Sequence, residues 1–207
     1  MMLKLFKEYK KYRWFITSSG KLVIGGKSAE QNESLIKEIL KTKKNYITMH
    51  TKEPGSPFSV ILAHIKNINE KDIEETAIFT ACFSRAWRDG RKKAKVDVFM
   101  TEQICKEKDM KTGTFGVAGK AQEKTVKLRL FLSAQMNRLR CVPESAAAEK
   151  ILEIQQGRMD KERAAEIIEK MLKEKFKYLE EKFKKTIFTK QEILQALPPG
   201  GVKILKI

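Results

Sequence analysis

The sequence predicts an α+β fold, in which a mostly antiparallel mixed sheet packs against helices and a helical C-terminal extension follows. Between residues 13 and 131, short apolar, β-branched and aromatic runs alternate with turn formers and helical stretches. From about Pro143 the apolar residues are spaced three and four apart, which is typical of helices. We therefore expect a first domain over residues 1–142 and a helical extension over residues 143–207.

The first predicted elements are a β-hairpin and a helix. Residues 13–18 and 21–24 flank a Gly-containing turn, as the two strands of a hairpin do. Ser28 is followed three residues later by Gln31, which is the spacing of a capping box and predicts a helix to about Leu40. The buried stripe of this helix is expected to consist of Leu35, Ile36 and Ile39.

A second strand pair and the clearest helical pattern follow. Strands at residues 46–50 and 58–65 flank the turn-rich segment 53–57. A helix is predicted over residues 69–89, with Gly90 in the left-handed position that commonly ends a helix. The buried face of this helix is expected to contain Ile73, Ala77, Ala81, Ser84 and Trp87.

Three further strands complete the predicted sheet. They lie at residues 95–100, 114–117 and 125–131. In the last strand, Lys127 and Arg129 alternate with apolar residues, as on a sheet with one exposed face. The buried side of that strand is expected to consist of Val126, Leu128 and Leu130.

The extension is predicted to contain three helices and a terminal edge strand. One helix is expected at residues 145–156, a longer one at residues 160–185 capped by Asp160, and a short one from Thr189. Residues 202–207 are expected to form the edge strand. The stripe of the long helix consists of Ala165, Ile168, Leu172, Phe176, Leu179 and Phe183. This stripe either packs on its own domain or seeds a coiled coil.

The charge of the chain points to an anionic partner. Lys and Arg number 43 against 26 Asp and Glu, which gives a net charge of +17. Residues 1–144 hold 29 Lys and Arg against 16 Asp and Glu, so most of the surplus lies there. Self-repulsion on this scale destabilises a compact chain. We therefore expect a partner that is nucleic acid or an acidic lipid headgroup.

Membrane, secretory and metal-binding classes are not expected. No apolar run approaches the ~18 residues of a membrane span, and the N-terminus lacks the apolar run of a signal peptide. We therefore predict a cytoplasmic protein without a membrane partner. Cys82, Cys105 and Cys141 are far apart and only His50 and His64 accompany them, so neither a structural metal nor a cofactor is predicted. The cysteines are expected to be buried.

Residues 25–28, Gly-Gly-Lys-Ser, resemble the end of a nucleotide-binding loop. The full motif requires Gly at the position of Lys21, so NTP hydrolysis is not expected. A Gly-rich turn that opens a helix still presents free backbone N–H groups. Gly25, Gly26 and Lys27 would therefore form a seat for a phosphate. Backbone geometry alone is the alternative explanation of the two glycines.

No catalytic residue is predicted. His50 lacks an orienting acid and a nucleophile at a recognisable spacing, so an enzyme is not expected. His64 alternates with apolar neighbours, which predicts a half-buried imidazole with a hydrogen-bond partner.

The strongest basic cluster consists of Arg85, Arg88, Arg91, Lys92 and Lys93. Because Arg85 and Arg88 are three residues apart, they are expected to share a helix face. The last three cations also suit the negative end of the helix dipole, which would explain them without a ligand. Trp87 is expected in the core, with a platform for base stacking as the alternative. A looser basic group on predicted loops consists of Lys106, Lys108, Lys111 and Lys120.

An ordered series of short motifs runs through the first two-thirds of the chain. The motifs are Trp14-Phe15, Ser19-Gly20, Val23-Ile24-Gly25-Gly26-Lys27, Gln31-Asn32-Glu33, His50, Pro54-Gly55-Ser56-Pro57, Ser84-x-x-Trp87, Val96-x-Val98, Lys106 and Gly113-x-Phe115. Together they cover about residues 12–132, and their order is more specific than any one of them. The series resembles the NFACT RNA-binding domain family.

The resemblance implies a stand-alone, non-catalytic RNA-binding module that is associated with tRNA or rRNA, with the ribosome, and with translation or ribosome quality control. The residues expected to contact nucleic acid are Lys27, His50, Arg85, Arg88, Arg91, Lys92, Lys93, Lys106, Lys111 and Lys120. Two alternatives are a protein-interaction adaptor that uses the 160–185 helix and a general binder of DNA or RNA backbones. The oligomeric state is open, and a dimer through that helix is one alternative.

Overall fold

The computed structural model describes residues 2–175 and 188–206 and has the predicted α+β architecture. Its helices are α1 (Met2–Glu8), α2 (Ala29–Lys41), α3 (Glu70–Cys82), α4 (Arg85–Arg88), α5 (Lys161–Lys175) and α6 (Lys190–Ala196). Its strands are β1 (Arg13–Ile16), β2 (Leu22–Gly25), β3 (Ile47–Thr51), β4 (Ser59–Ile61), β5 (Lys93–Met100), β6 (Ile104–Cys105), β7 (Gly116–Val117), β8 (Gln122–Lys127), β9 (Leu130–Gln135), β10 (Arg138–Val142), β11 (Leu152–Met159) and β12 (Val202–Lys206). Short 3-10 helices lie at Tyr9–Lys11, Ile65–Asn67, Thr101–Gln103 and Glu144–Ala146.

The larger sheet has six strands in the order β1-β2-β4-β3-β5-β8, and all its neighbouring strands are antiparallel. Successive residues of a strand point to opposite faces. Trp14, Ile24 and Val60 therefore pack with the apolar stripe of α2, while their neighbours Phe15, Val23 and Ile61 pack with α3. The sheet is thus buried on both faces. The predicted stripe of α2 is confirmed, since Leu35, Ile36 and Ile39 are fully buried.

The smaller sheet has four antiparallel strands in the order β10-β9-β11-β12. Helix α6 packs against β10, and α5 packs against β12 and α6. A two-residue turn joins β9 to β10, with positive φ angles of 49° at Met136 and 59° at Asn137. Tight hairpins of this type require positive φ at both central residues, which Gly usually provides. The sequence Met-Asn lacks that signal, and the prediction missed β10.

The predicted helix at residues 69–89 is two helices, α3 and α4. Ser84 separates them because its hydroxyl donates to the Ala81 carbonyl (2.7 Å) and accepts from the Ala86 amide (3.0 Å). A serine that bonds to the backbone on both sides ends one helix and caps the next. The amide of Arg85 then donates to the Gly55 carbonyl (2.8 Å), so α4 is oriented by the loop that precedes β4.

The predicted strand at residues 125–131 is also two strands. β8 ends at Lys127 in the larger sheet, and β9 begins at Leu130 in the smaller one. The pattern did not reveal the change of sheet because Val126, Leu128 and Leu130 are all buried in the one core that both sheets share. The segment predicted at residues 114–117 is short as well: β7 pairs only with β6, in a separate two-stranded sheet.

The helix predicted at residues 145–156 is wrong. After a single 3-10 turn at Glu144–Ala146, this segment enters β11. Leu152 and Ile154 are buried and Glu153 is not, which is the two-residue period of a strand. β11 pairs with β9, so strands from both sides of residue 142 belong to one sheet. The division of the chain at that residue stays a prediction.

Other expectations for the extension are confirmed. The Asp160 carboxylate accepts from the Arg163 amide (2.9 Å) and caps α5, and β12 is an edge strand. The first half of the predicted stripe, Ala165, Ile168 and Leu172, is buried in the chain's own core. The other predicted stripe residues, Phe176, Leu179 and Phe183, lie outside the described residues. Among the residues that the structure describes, no helix has the length and apolarity needed to span a bilayer.

The side chain of Gln135 joins the two sheets. Its Oε1 accepts from the Ile16 amide (2.7 Å), and its Nε2 donates to the carbonyls of Ile16 (2.8 Å) and Ala146 (3.0 Å). β1 is an edge strand, and an edge strand leaves backbone N–H and C=O groups unpaired. The Gln135 amide therefore acts as a short piece of a neighbouring strand and docks the β9–β10 hairpin on β1.

The side chain of Glu33 fastens the loop between β6 and β7 to α2. One of its oxygens accepts from the Gly113 amide (2.8 Å) and from the Lys106 ammonium (2.9 Å), and the other contacts Lys37 (3.1 Å). The Gly113 amide and the Lys106 ammonium together lower the pKa of Glu33 to about 2. The carboxylate is thus ionised throughout the physiological pH range.

We predict that Gln135→Ala lowers the free energy of unfolding by about 1–3 kcal/mol, because it leaves partly buried backbone groups without partners. Chemical denaturation of the full chain measures this change. Gln122→Ala, at an exposed position of β8, is the matched control and should change the unfolding free energy by less than about 0.5 kcal/mol. Equal losses in the two variants would contradict the role assigned to Gln135.

We also predict that Glu33→Gln destabilises the protein at pH 7 and has a smaller effect at low pH. The pKa of Glu33 is lowered from an ordinary 4.5 to about 2, so its contribution is complete above about pH 4.5 and is lost as the pH falls towards 2. Denaturation at pH 7 and pH 3 should show the difference between variant and wild type narrowing. The exposed Glu74→Gln is the control, and a difference that stays constant with pH would refute the prediction.

Candidate nucleic-acid interface

A cavity of about 550 Å³ opens where α2 begins. Its walls are the turn at residues 26–29, the loop between β3 and β4, the end of α3 with α4, and the loop at residues 112–117. We call it the α2 cavity. It brings together Gly26, Lys27, His50 and Arg88, four residues that the sequence analysis assigned to nucleic-acid contact.

Asn32 holds the first two walls together. Its Oδ1 accepts from the Phe58 amide (3.1 Å), and its Nδ2 donates to the Ser56 carbonyl (3.3 Å). Gly26 lies directly against it, and a Cβ at Gly26 would come within 2.8 Å of the Asn32 amide nitrogen. Real Cβ atoms do not approach that closely. Glycine is therefore required at residue 26, as expected for a turn that contacts other backbone.

The third wall depends on Gly113. Its φ is +77°, and a Cβ there would lie 2.7 Å from the Ala29 backbone, so only glycine lets this loop lie on the first turn of α2. Glu33, on the same helix, accepts from the Gly113 amide (2.8 Å). Two consecutive side chains of α2, Asn32 and Glu33, thus fix two loops on opposite sides of the cavity.

The start of α2 is capped by Ser28. Its hydroxyl accepts from the Gln31 amide (3.3 Å), and the Gln31 side chain accepts from the Lys27 amide (3.0 Å). In a regular capping box the Gln31 side chain would accept from the Ser28 amide. Here it accepts from the Lys27 amide, one residue earlier, so the predicted capping box is only partly formed. The first helical hydrogen bond runs from the Asn32 amide to the Ser28 carbonyl, so the amides of Ser28 and Ala29 precede it, and both residues line the cavity.

Arg13, on β1, brings a partly buried positive charge to the α2 cavity. Its guanidinium lies 4.8 Å from the centre of the Phe83 ring. Burial lowers the pKa of Arg13 to about 10, which leaves it charged at neutral pH. No carboxylate of the described residues lies within 4 Å of it. A desolvated cation without a counter-ion is costly, and an anionic ligand would stabilise it.

Lys27 adds to the positive potential. Burial, together with the nearby charges of Arg13 and Arg140, lowers the pKa of Lys27. The nearest buried carboxylate belongs to Glu192, which pairs with Arg138 (2.9 Å) and Arg140 (2.9 Å) on β10. That carboxylate is therefore shared between two other cations. Repulsion between unneutralised cations makes the site favourable for a phosphate.

His50 is a neutral part of the same wall. Its Nδ1 lies 2.6 Å from the Thr51 carbonyl, and its ring packs 4.6 Å from the ring of Phe58. Burial lowers the pKa of His50, so the imidazole is uncharged at neutral pH. His64 is exposed and not half-buried as predicted, because it caps the 3-10 turn that follows β4, with Nδ1 accepting from the Lys66 amide (3.3 Å).

The predicted basic cluster lies on both sides of the loop at residues 53–57. Arg88 faces the α2 cavity, whereas Arg85 packs against Gly55 and lines a second cavity of about 320 Å³ together with Arg91 and Lys93. We call this second space the α4 cavity. The shared helix face that was predicted for Arg85 and Arg88 is thus divided by the loop.

These cations differ in how far they are neutralised. Arg91 pairs with Glu53 (2.6 Å). Among the described residues, no carboxylate pairs with the other exposed cations of this group, which are Lys27, Arg85, Arg88, Lys92 and Lys93. Together with Arg13, these five residues form what we call the basic surface. It surrounds the α2 cavity and reaches the α4 cavity.

The looser lysine group has two roles. Lys106 is structural: its ammonium donates to Glu33 and to the carbonyls of Lys111 (2.7 Å) and Thr114 (2.9 Å), and it lies 4.8 Å from the centre of the Phe115 ring. Lys111 and Lys120 are exposed on the surrounding loops. They remain predicted contacts, as does Lys108.

Trp87 belongs to the core, as predicted. It is buried and its Nε1 donates to the Gly201 carbonyl (3.1 Å), which leaves no face for base stacking. Cys82 and Cys141 are also buried as expected, and burial raises the pKa of both thiols. Cys105 is exposed instead, because β6 turns Ile104 inward and Cys105 outward.

Sequence reasoning assigned no role to Arg13, Asn32 or Lys52 in the cavity wall. The sequence did contain a signal for Asn32. It precedes the stripe residues Leu35, Ile36 and Ile39 by three, four and seven positions, which places this polar residue on the buried face of α2. Such a position calls for specific hydrogen-bond partners. Arg13 had no comparable signal, because the first residue of a strand is usually near solvent.

Comparison with known proteins finds relatives of this chain. Along its whole length the chain is 31% identical to the archaeal Rqc2 homolog aRqcH of Methanocaldococcus jannaschii, of which it covers 31%. Over 54% of the chain it is 30% identical to the ribosome quality control complex subunit NEMF homolog of Drosophila melanogaster, of which it covers 12%. The chain thus spans less than a third of the length of these relatives.

A solved structure and a protein family also match. The C-terminal part of the fibronectin/fibrinogen-binding protein from Streptococcus suis superposes with a TM-score of 0.48 at 21% identity, over 56% of this chain and 44% of that chain. Residues 11–119, more than half of the chain, match the family described as NFACT protein RNA binding domain. This match includes the α2 cavity walls and α4, and the chain belongs to the NFACT RNA-binding domain family.

Proposed function

We propose that this chain binds RNA, and that the basic surface around the α2 cavity makes the phosphate contacts. The observation that carries the proposal is the set of cations without carboxylate partners among the described residues, from Arg13 in the α2 cavity to Lys93 in the α4 cavity. Nucleic-acid affinity comes largely from neutralising phosphates with Lys and Arg, which releases counter-ions. A chain with a net charge of +17 suits such a partner.

The family and the named relatives support RNA over other polyanions. The matched family is described as an RNA-binding domain, and the relative from Drosophila melanogaster is named as a ribosome quality control complex subunit homolog. We therefore propose tRNA or rRNA as the ligand and the ribosome as the setting, which implies a cytoplasmic location. Double-stranded DNA of equal charge is the comparison that tests this choice, since phosphate contacts alone do not identify the sugar.

We further propose that the site docks its ligand and does not catalyse a reaction. The polar side chains that line the α2 cavity are cations, a neutral imidazole, the Asn32 amide and five Ser and Thr hydroxyls, and none of these lining residues is a carboxylate. The Nδ1 atom of His50 is occupied by the Thr51 carbonyl, and among the described residues no carboxylate hydrogen-bonds to that ring. In a catalytic arrangement, the base would be oriented by an acid and placed beside a nucleophile.

The adaptor alternative has less support. The apolar stripe of α5 is buried against the smaller sheet and α6 as far as Leu172, so this part of the helix offers no free face to a partner. Dimerisation through the 160–185 helix stays a prediction. Sedimentation of the full chain with and without RNA would detect it.

We predict that reversing Arg85, Arg88 and Lys93 together to Glu weakens binding of unfractionated tRNA by about 10-fold or more. Each lost phosphate contact should also reduce the slope of log affinity against log salt, by about 0.7–0.9. Fluorescence anisotropy at several salt concentrations measures both quantities. All three residues are exposed, so we expect the variant to fold, and thermal denaturation checks that it does.

The matched control reverses Lys43, Lys66 and Lys71, which changes the net charge equally at exposed positions. Lys43 follows the far end of α2, and Lys71 is in the first turn of α3, about 20 Å of helix away from α4. The control should retain most of the affinity. Equal losses in the two triple variants would reduce the binding to a nonspecific effect of net charge and overturn the assigned surface.

A further inference from the structure

The α2 cavity is larger and chemically more divided than a seat for one phosphate needs to be. We propose that it takes one unpaired nucleotide of the bound RNA, with the phosphate on the side of Arg13 and Lys27 and the base on the side of Phe58 and Phe115. This inference rests on the proposed RNA binding. It adds that recognition includes a nucleotide turned out of the stack.

The volume of the cavity supports this ligand class. Pockets for small molecules and cofactors occupy roughly 300–1,000 Å³, and the α2 cavity, at about 550 Å³, lies within that range. A phosphate alone would leave most of this space unfilled. Because a paired base is stacked between its neighbours, only an unpaired or flipped nucleotide can enter.

One wall is built for the phosphate. Arg13 is a planar cation that no described carboxylate neutralises, and guanidinium geometry suits two phosphate oxygens at once. Lys27 adds a second charge beside it. The amides of Ser28 and Ala29 lie at the start of α2, a helix of 13 residues, where N–H groups and the helix dipole favour an anion.

Another part of the wall is apolar. The rings of Phe58 and Phe115 meet edge to face, with centroids 5.4 Å apart and planes at 83°. Pro57 continues this wall, and the ring of His50 packs on Phe58. Asn32 and Glu33 fix the two loops that carry these rings, so little side-chain freedom would be lost on binding. Such a surface suits the flat, weakly polar body of a nucleobase.

The test compares two RNAs: a blunt duplex and the same duplex with one bulged nucleotide. We expect the wild-type chain to bind the bulged duplex about 10-fold more tightly in anisotropy titrations. Lys27→Gln should reduce this preference to about 2-fold or less, because it removes a phosphate contact inside the cavity. Lys92→Gln, the same change outside the cavity, should weaken binding of both duplexes equally and keep the preference.

A second measurement does not depend on RNA structure. In a titration of the full chain with a nucleoside 5′-monophosphate, the backbone NMR signals of Gly26, His50 and Gly113 should shift. The corresponding nucleoside and inorganic phosphate, which would each contact only one part of the cavity wall, should shift these signals less at equal concentration. Lys27 is exposed, so Lys27→Gln should fold normally and should raise the half-saturation concentration several-fold.

The outcomes separate the two proposals. Equal affinity of the wild type for both duplexes, with unshifted NMR signals at the cavity, would overturn the nucleotide pocket. RNA binding would still stand if the charge reversal of Arg85, Arg88 and Lys93 weakened it. Loss of binding to every RNA tested would overturn both proposals.

Discussion

The buried side-chain amide of Asn32 is the interaction on which the site depends. It joins α2 to the β3–β4 loop through hydrogen bonds with the Phe58 amide and the Ser56 carbonyl. An unsatisfied buried N–H or C=O costs about 1–3 kcal/mol, so losing the two hydrogen bonds of Asn32 would be costly, and they hold the loop in place. Gly26 must then pass within contact distance of the amide, and the turn that begins α2 lies at the cavity wall as a result.

The distribution of carboxylates explains why the positive charge is concentrated here. Three acids near the site form ion pairs: Glu33 holds Lys106, Glu53 pairs with Arg91, and Glu123 pairs with Lys52 (2.6 Å) and Lys95 (2.7 Å). These pairs fasten loops and strands. The cations of the basic surface have no carboxylate partner of this kind among the described residues, and their mutual repulsion raises the energy of the free protein. Binding of a polyanion would relieve that repulsion.

The sequence was informative where one residue pattern has one structural solution. The hairpin at β1 and β2, the stripe of α2 and the burial of Trp87 all followed from local spacing. Errors arose where two solutions share a pattern. Leu128 is buried whether or not the chain changes sheets, and the apolar residues near Leu152 fit a short helix or a strand. Only pairing with distant strands decides between them.

The site was predictable as a charge but not as a shape. Lys27 and the cluster from Arg85 to Lys93 were found from composition, whereas Arg13 enters the cavity only because β1 and Phe83 meet in the folded chain.

The most direct test of the central claim is hydrogen exchange of the full chain with and without tRNA. We expect protection of residues 25–33, 52–58 and 84–93. Protection confined to α5, α6 and β12 would contradict the account.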